Sequence, residues 1–584
     1  MGLDRTPEDV DESEGADIDR RSLLQMTGAA AGASVVGLGA TGTAAAWESD
    51  AETRIQEHRT GDLEITVEDG SGNTVPDATV EIEQQDHDFT FGTAVNAEFL
   101  YRAEQWGDPI EYQGVDGQQK TADEEDMETY RQYTEELFNT IVFENYTKWN
   151  IWENDWQNPD ETAGNEVADW AVDWANERDM DVRGHVCVWG NVDAYGVPPD
   201  VAEAMGMGPN DTDFSHDDFS EADHDPQLII DRTLGHIERI IDYYGESVME
   251  WEIANEFINV PEMIYAVEGS GFDDSSVDQA TAQVLGDWFE KAQEVTDKYD
   301  DIGIAVNEYN TLVGRIGKIE DQYEAAIDYL IEDRGIDLDG IGFQSHFGSW
   351  DTLTQDRFWQ EFERFAGKGA GLRMSEFDMY KGNWSEQEQA DFMYRALKIF
   401  FSHPAAEQFL VWNFWDPLHW GDDAGQEKDA PFFRADWSEK PALDVWRNLV
   451  FDEWWTAETG TADGSGVYST SAFLGTHDVT VSANGTSATA TVEVTDSDGT
   501  TSVSVSLDGS STGDGPSWPN GATDPDGDGL YEDLSGDGTL NFPDVNELFQ
   551  NTDQSVAQDN SQYYDFDGDG DLDSQDVLAL FEMV

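Results

Sequence analysis

The strongest constraint on how this chain folds is a rhythm. Between His87 and Trp455, short apolar runs alternate with amphipathic helical stretches. Eight such runs stand out: "FTFGTAV", "TIVFEN", "VRGHVCVW", "VMEWEIANE", "IGIAVNEYN", "GIGFQSHF", "LRMSEFDM" and "FLVWNFW". Helical patterns such as "PQLIIDRTLGHIERII" and "QYEAAIDYLIEDRG" separate them. Eight strands, each followed by a helix or long loop, give an α/β fold, a (β/α)8 (TIM) barrel over residues 86–455.

Sites on such barrels lie at the C-terminal strand ends. Those ends carry Glu144, Asn145 and Lys148; His185 and Trp189; Asn255 and Glu256; Asn307, Tyr309 and Asn310; Gln344 and His346; Glu376 and Asp378; Trp412 and Trp420. Carboxylates, amides, imidazoles and indoles on one face suit a sugar polymer, whose hydroxyls need donors and acceptors and whose rings stack on Trp. Phosphate-cradling Gly-rich loops and His/Cys clusters with metal-ligand spacing are absent from the sequence. Glycoside hydrolysis needs one protonated and one ionised carboxyl flanking the bond. Glu256 and Glu376 are the natural pair, and Asp378, two residues beyond Glu376, shares its face.

Composition fixes the surroundings. The 584 residues include 126 acidic and 29 basic ones, a formal net charge of −97 spread along the chain. Molar salt, with a Debye length of about 3 Å, screens that repulsion. A salt-adapted globular protein is expected, acting as a monomer and without nucleic acid as a partner. The single cysteine, Cys187, excludes an intramolecular disulfide and reads as a buried small hydrophobe. At the start, "DRRSLLQMTGAAAGASVVGLGATGTAAA" places Arg20-Arg21 before an Ala/Gly-rich stretch and Ala44-Ala45-Ala46. Residues 1–46 are expected to be a twin-arginine export signal, giving a secreted product, with cell-surface association as a variant; an uncleaved anchor is the alternative.

Flanking segments differ from the barrel. Residues 47–60 are polar and expected to be flexible. Within 47–85, "GDLEITVEDGSGNTVPDATVEIEQ" reads as a β-hairpin capping the barrel. Residues 460–508, rich in Gly, Ser, Thr and Val with period-2 alternation, predict a small β module, and 509–523 a flexible linker. The tail, 524–584, carries two loops. Asp533, Ser535, Asp537, Thr539, Asn541 and Asp544 fall at calcium-loop positions 1, 3, 5, 7, 9 and 12, with Gly538 at the turn. Asp565, Asp567, Asp569, Asp571, Asp573 and Asp576 repeat the pattern around Gly570. Each loop runs into a short apolar helix, so Ca2+ is the expected ion; catalysis is expected to need no cofactor. Paired EF-hand-like loops of this kind resemble dockerin domains, which implies a cohesin-type partner.

The ordered set "FENYTKW", "RGHVCVW", "WEIANE", "NEYN", "GFQSHF", "SEFDM" and "VWNFWDPLHW" closely resembles glycoside hydrolase family 10, the retaining endo-β-1,4-xylanases, over residues 86–452. The resemblance implies Glu256 as acid/base and Glu376 as nucleophile, xylan as substrate, Asn255 on the sugar 2-hydroxyl and His346 hydrogen-bonded to Glu376. It also implies that Glu144, Asn145, Lys148, His185, Trp189, Gln344, Trp412 and Trp420 line the glycone subsites. Phe257 after the acid/base and Asn413 after the last strand's Trp depart from the family's small residues. A β-1,4-glucanase on the same barrel and a non-catalytic polysaccharide-binding scaffold are the rival readings.

Overall fold

The computed structural model describes residues 44–583 apart from 106, 115–117, 154–163, 193, 208–222, 270–276, 300–301, 313–316, 352–353, 423–427, 496, 498, 508–510, 513–521, 523–529, 533, 535–539, 541, 553–562, 565, 567–571 and 573. The chain opens with helix α1 (Ala44–His58) and strands β1 (Thr60–Glu68) and β2 (Thr79–His87). It then enters a closed barrel of eight parallel strands: β3 (Thr90–Val95), β4 (Thr140–Phe143), β5 (Asp181–Gly184), β6 (Glu250–Asn255), β7 (Gly303–Glu308), β8 (Gly340–Phe343), β9 (Gly371–Lys381) and β10 (Ala406–Val411). Each strand pairs with the next, and β10 closes on β3.

Helices α2 (Glu124–Leu137), α3 (Gly164–Asn176), α4 (Pro226–Tyr244), α5 (Gln283–Thr296), α6 (Gly317–Asp328), α7 (Gln355–Ala366), α8 (Glu386–Phe401) and α9 (Pro441–Arg447) follow the eight strands in turn. Local chemistry starts several of them. Asp123 with Asp126 and Ser385 with Glu388 form capping boxes at α2 and α8, and Asp225 caps α4 ahead of Pro226. Strands β4, β6 and β8 are buried along their whole length; β4 and β8 read as apolar runs, while β6 also buries Glu250, Glu252 and Asn255.

Below the mouth, the barrel interior holds charge. Arg183 donates to Glu250 (2.8 Å) and Glu252 (3.1 Å), and Arg373 donates to Glu250 (2.7 Å) and Glu407 (2.7 Å). Arg183, Glu250, Glu252 and Arg373 are all buried, so each charge is tolerated only because its neighbours pair it.

The segments on either side of the barrel form one domain. Strands β11 (Ala457–Thr461), β12 (Val467–Phe473), β13 (Gly475–Ala483), β14 (Thr486–Val494), β15 (Thr500–Ser506) and β16 (Ser511–Thr512) follow α9. They take β1 and β2 into two four-stranded sheets, β12-β1-β15-β16 and β11-β2-β13-β14. Leu63, Ile65 and Val67 of β1 share a core with Val80 and Ile82 of β2, Val479 and Val481 of β13 and Val505 of β15, so the sheets pack face to face.

This corrects the expected hairpin: β1 and β2 lie in different sheets, and only a bridge between Glu68 and Thr74 joins the turn between them. The expected separate module at 460–508 is the other part of the same sandwich, and residues 511–512 of the expected linker form its last short strand. Residues 47–60 are not flexible. Ala51 and Ile55 of α1 are buried, Arg54 stacks on Trp359 at 4.0 Å, and Arg59 donates to the carbonyls of Phe401, His403 and Ala406 at 2.9, 2.7 and 2.6 Å.

In the tail, α10 (Phe542–Asn551) and α11 (Ser574–Met583) pack together, with Val545, Leu548, Val577 and Leu580 buried at matching repeat positions. Asp544 and Asp576 are described; the other ten expected calcium ligands lie outside the described residues, as do Arg20-Arg21. Among the described residues, no helix is long and apolar enough to cross a membrane.

Candidate active site

A cleft of about 850 Å³ opens where the barrel strands end. At the end of β6, Asn255 completes the strand and Glu256 turns the chain with φ +57°, a left-handed value that costs a non-glycine residue about 1 kcal/mol or more. The Glu256 N–H donates to the Asn307 carbonyl at 3.1 Å, tying this turn to β7. Its carboxyl receives two neutral donors, Trp189 Nε1 (2.9 Å) and Gln344 Nε2 (2.8 Å). Gln344 Nε2 also donates to Asn255 Oδ1 at 3.0 Å. Burial raises the Glu256 proton affinity, and the Glu376 charge adds to it; the Gln344 and Trp189 donors offset part.

Glu376, inside β9, sits in the opposite setting. Asn307 Nδ2 donates to its Oε1 at 2.7 Å, and His346 Nε2 lies 3.1 Å from its Oε2. Ser375 donates to Asn307 Oδ1 at 2.7 Å, which fixes the amide's orientation. Behind His346, Asp378 Oδ2 meets His346 Nδ1 at 2.9 Å and accepts from Trp420 Nε1 at 2.9 Å. Burial alone would lower the His346 pKa and raise that of Asp378. Their mutual charge overrides it, holding His346 up at about 9 and Asp378 down at about 2. His346 is therefore an imidazolium at neutral pH and donates from both nitrogens, one to each carboxylate.

The far wall is built the same way. His185 Nδ1 meets the buried Glu252 at 2.7 Å, and its ring meets Trp412 edge-on at 5.3 Å. Lys148 Nζ donates to Asn145 Oδ1 at 3.0 Å and stands 4.6 Å over the Trp189 ring. His185, Glu252 and Glu376 offer atoms within 4.8 Å of one another; the His185 nitrogen facing Glu252 is engaged in that bond, and Glu376 is held by Asn307 and His346.

The cleft lining contains Glu144, Asn145, Lys148, His185, Trp189, Asn255, Glu256, Tyr309, Gln344, His346, Glu376, Trp412 and Trp420, all expected from the sequence. Asp378 is brought to the site but lies behind the lining, bonded to His346 and Trp420. Sequence pattern assigned no role to Glu252, Asn307, Tyr195, Gln105, His419 or Lys428. Asn307 stood beside Tyr309 among the strand-end residues read from the sequence, without a role of its own. Gln105 and Lys428 reach the cleft from segments without periodicity, so nothing in their local pattern marks them.

The profile of glycosyl hydrolase family 10 matches residues 110–449. The anti-sigma-I factor RsgI6 of Acetivibrio thermocellus is 24% identical over 441 residues, 75% of this chain and 47% of that protein. The endo-1,4-beta-xylanase A of Halalkalibacterium halodurans is 28% identical over 309 residues, 48% of this chain and 71% of that one. The chain thus spans about half the length of the first relative. Among solved structures, the native xylanase 10B of Thermotoga maritima aligns with 63% of this chain and 96% of its own at 20% identity, TM-score 0.45.

Proposed function

The chain belongs to glycosyl hydrolase family 10, and from that premise we propose that it is a retaining endo-β-1,4-xylanase that cleaves internal xylan linkages by double displacement. The reading rests on one contrast: two carboxyls share a cleft in opposite surroundings. Glu256 meets only neutral donors in a buried setting that raises its proton affinity. Glu376 instead accepts from the Asn307 amide and lies against His346, whose pKa is raised. Two carboxyls of one cleft in such different surroundings suit the separate roles of acid and nucleophile.

In the first step, Glu376 attacks the anomeric carbon while Glu256 protonates the departing oxygen. In the second, Glu256 takes a proton from water, which displaces Glu376 and restores the starting configuration. Trp189 and Gln344 hold the acid in place, and Asn255, fixed by Gln344, presents its amide beside it to the sugar hydroxyls. The wall of Lys148, Trp412 and Trp420 receives the sugar rings on the glycone side.

The proposal extends to setting. The product is exported through the twin-arginine route and works as a monomer at high salt, where its acidic surface is screened. The tail is a dockerin-like module held by Ca2+ and able to seat a cohesin-type partner. What supports the calcium reading is that Asp544 and Asp576, the twelfth positions of the two loops, are both carboxylates drawn below the surface at the start of α10 and α11.

The test uses xylan, carboxymethylcellulose and aryl glycosides at molar NaCl. Xylan should be cleaved with retention of configuration. Glu376→Ala should abolish turnover on every substrate. Glu256→Ala should still react with aryl glycosides bearing good leaving groups and, with azide, yield a β-glycosyl azide. An α-azide, or an inverted product from the unaltered enzyme, refutes the assignment of roles.

A further inference from the structure

Glu308 ends β7 fully buried, outside the cleft lining, and the chemistry above gives it no task. Its carboxyl gathers three donors. Ile258 N–H reaches Oε2 at 2.9 Å, while Asn259 Nδ2 and the Tyr309 N–H reach Oε1 at 2.6 and 2.9 Å. Asn259 Nδ2 also donates to the Tyr309 carbonyl at 3.2 Å. Ile258 and Asn259 are the second and third residues after Glu256, in the turn that Glu256 opens at φ +57°. The Val260 N–H closes that turn on the Glu256 carbonyl, and Asn307 takes the Glu256 N–H.

The turn is therefore pinned to β7 at both ends, at its opening by Asn307 and at its far side by Glu308. Burying a carboxyl among neutral donors is unfavourable: burial drives the Glu308 pKa up to about 8 against its donors. An aliphatic side chain would fill the space without that cost but would leave the Ile258 N–H and the Asn259 amide without their acceptor.

We propose that Glu308 is a positioning residue for the acid/base carboxyl, holding the 256–260 turn against β7 so that Glu256 meets the leaving oxygen. This rests on the double-displacement reading above. A displacement of about 1 Å in a reacting group costs roughly 100-fold in rate, and the loss falls only on steps in which that group transfers a proton.

Glu308→Gln tests it, since the amide nitrogen cannot accept the Ile258 N–H while side-chain volume is kept. The readout is kcat/KM on xylohexaose, whose leaving group needs the acid, against 2,4-dinitrophenyl β-xylobioside, whose leaving group does not. The expected result is a fall of roughly 10- to 100-fold on xylohexaose with the aryl substrate unchanged within about 3-fold. Asn259→Ala, which removes one donor and leaves Glu308 in place, should show the same split at smaller size and decides the matter if Glu308→Gln does not fold. Equal losses on both substrates, or none on either, overturn the proposal. Glu256→Ala is run beside them: if it shows no split, the acid/base reading itself is what fails.

Discussion

Asp378→Asn isolates the charge that sets up the nucleophile. His346 and Trp420 both reach the same oxygen, Oδ2, and His419 Nε2 lies 3.5 Å from it, so an asparagine carbonyl in that position keeps these contacts and removes the negative charge. The magnitude comes from the pair. His346 rises from 6.5 to about 9 and Asp378 falls from 3.8 to about 2. At 1.36 kcal/mol per pKa unit, either shift corresponds to roughly 3 kcal/mol. The two shifts share one contact and are counted once, at about 3 kcal/mol; Glu376 also raises His346, His419 also lowers Asp378, and burial opposes both shifts.

The sign at each end sets the pH window. A histidine with a raised folded pKa contributes fully below 6.5 and loses that contribution as pH climbs through about 9. An aspartate with a lowered folded pKa contributes fully above 3.8 and loses it as pH falls through about 2. The deficit of the variant should thus be greatest between about pH 4 and 6.5 and should close by about pH 9 to 10. Denaturant unfolding at fixed molar salt across that range measures it. Activity should fall as well, by roughly 10- to 100-fold at neutral pH, because Glu376 Oε2 loses a charged donor. A deficit that persisted unchanged at pH 10, or a variant as stable as the parent at pH 6, would refute the reasoning.

Three further outcomes are expected. Removing residues 457–584 should give insoluble protein, since it strips the partners from β1 and β2 and exposes Leu63, Ile65, Val67, Val80 and Ile82, whereas truncation after residue 512 should leave a soluble, active enzyme; the soluble fraction and xylan turnover of the two shortened chains check this. Melting temperature by calorimetry should rise from low to molar NaCl, given the −97 formal charge, and a flat response would count against salt adaptation. In the full-length protein, chelating calcium should lower a tail transition by about 2.7 kcal/mol relative to calcium at 100 times its Kd, with xylan hydrolysis unaltered; an unmoved calorimetric trace would remove calcium from the account.

The barrel and the site's composition were legible in the sequence because both are local. Short apolar-rich runs alternating with amphipathic helices mark the barrel strands, and polar residues toward the C-terminal end of such a run stand at the mouth, so Glu256, Gln344, His346 and Glu376 could be placed from pattern alone. Partner choice is not local. The alternation in β1 and β2 says that each is a strand with one apolar face, yet the cover for that face comes from β11–β15, several hundred residues downstream, and a hairpin satisfies the same alternation. Likewise α1 reads as polar, because among its described residues Ala51 and Ile55, four residues apart on one face, are the buried ones and Trp47 packs on the core beside them, while Arg59 just beyond its end bonds to carbonyls of Phe401, His403 and Ala406. The charge on His346 and the service of Glu308 to the 256–260 turn belong to the tertiary structure in the same sense. A side chain's protonation and its hydrogen-bond partners are set by what burial brings within about 3 Å of it, and sequence spacing carries no record of that distance.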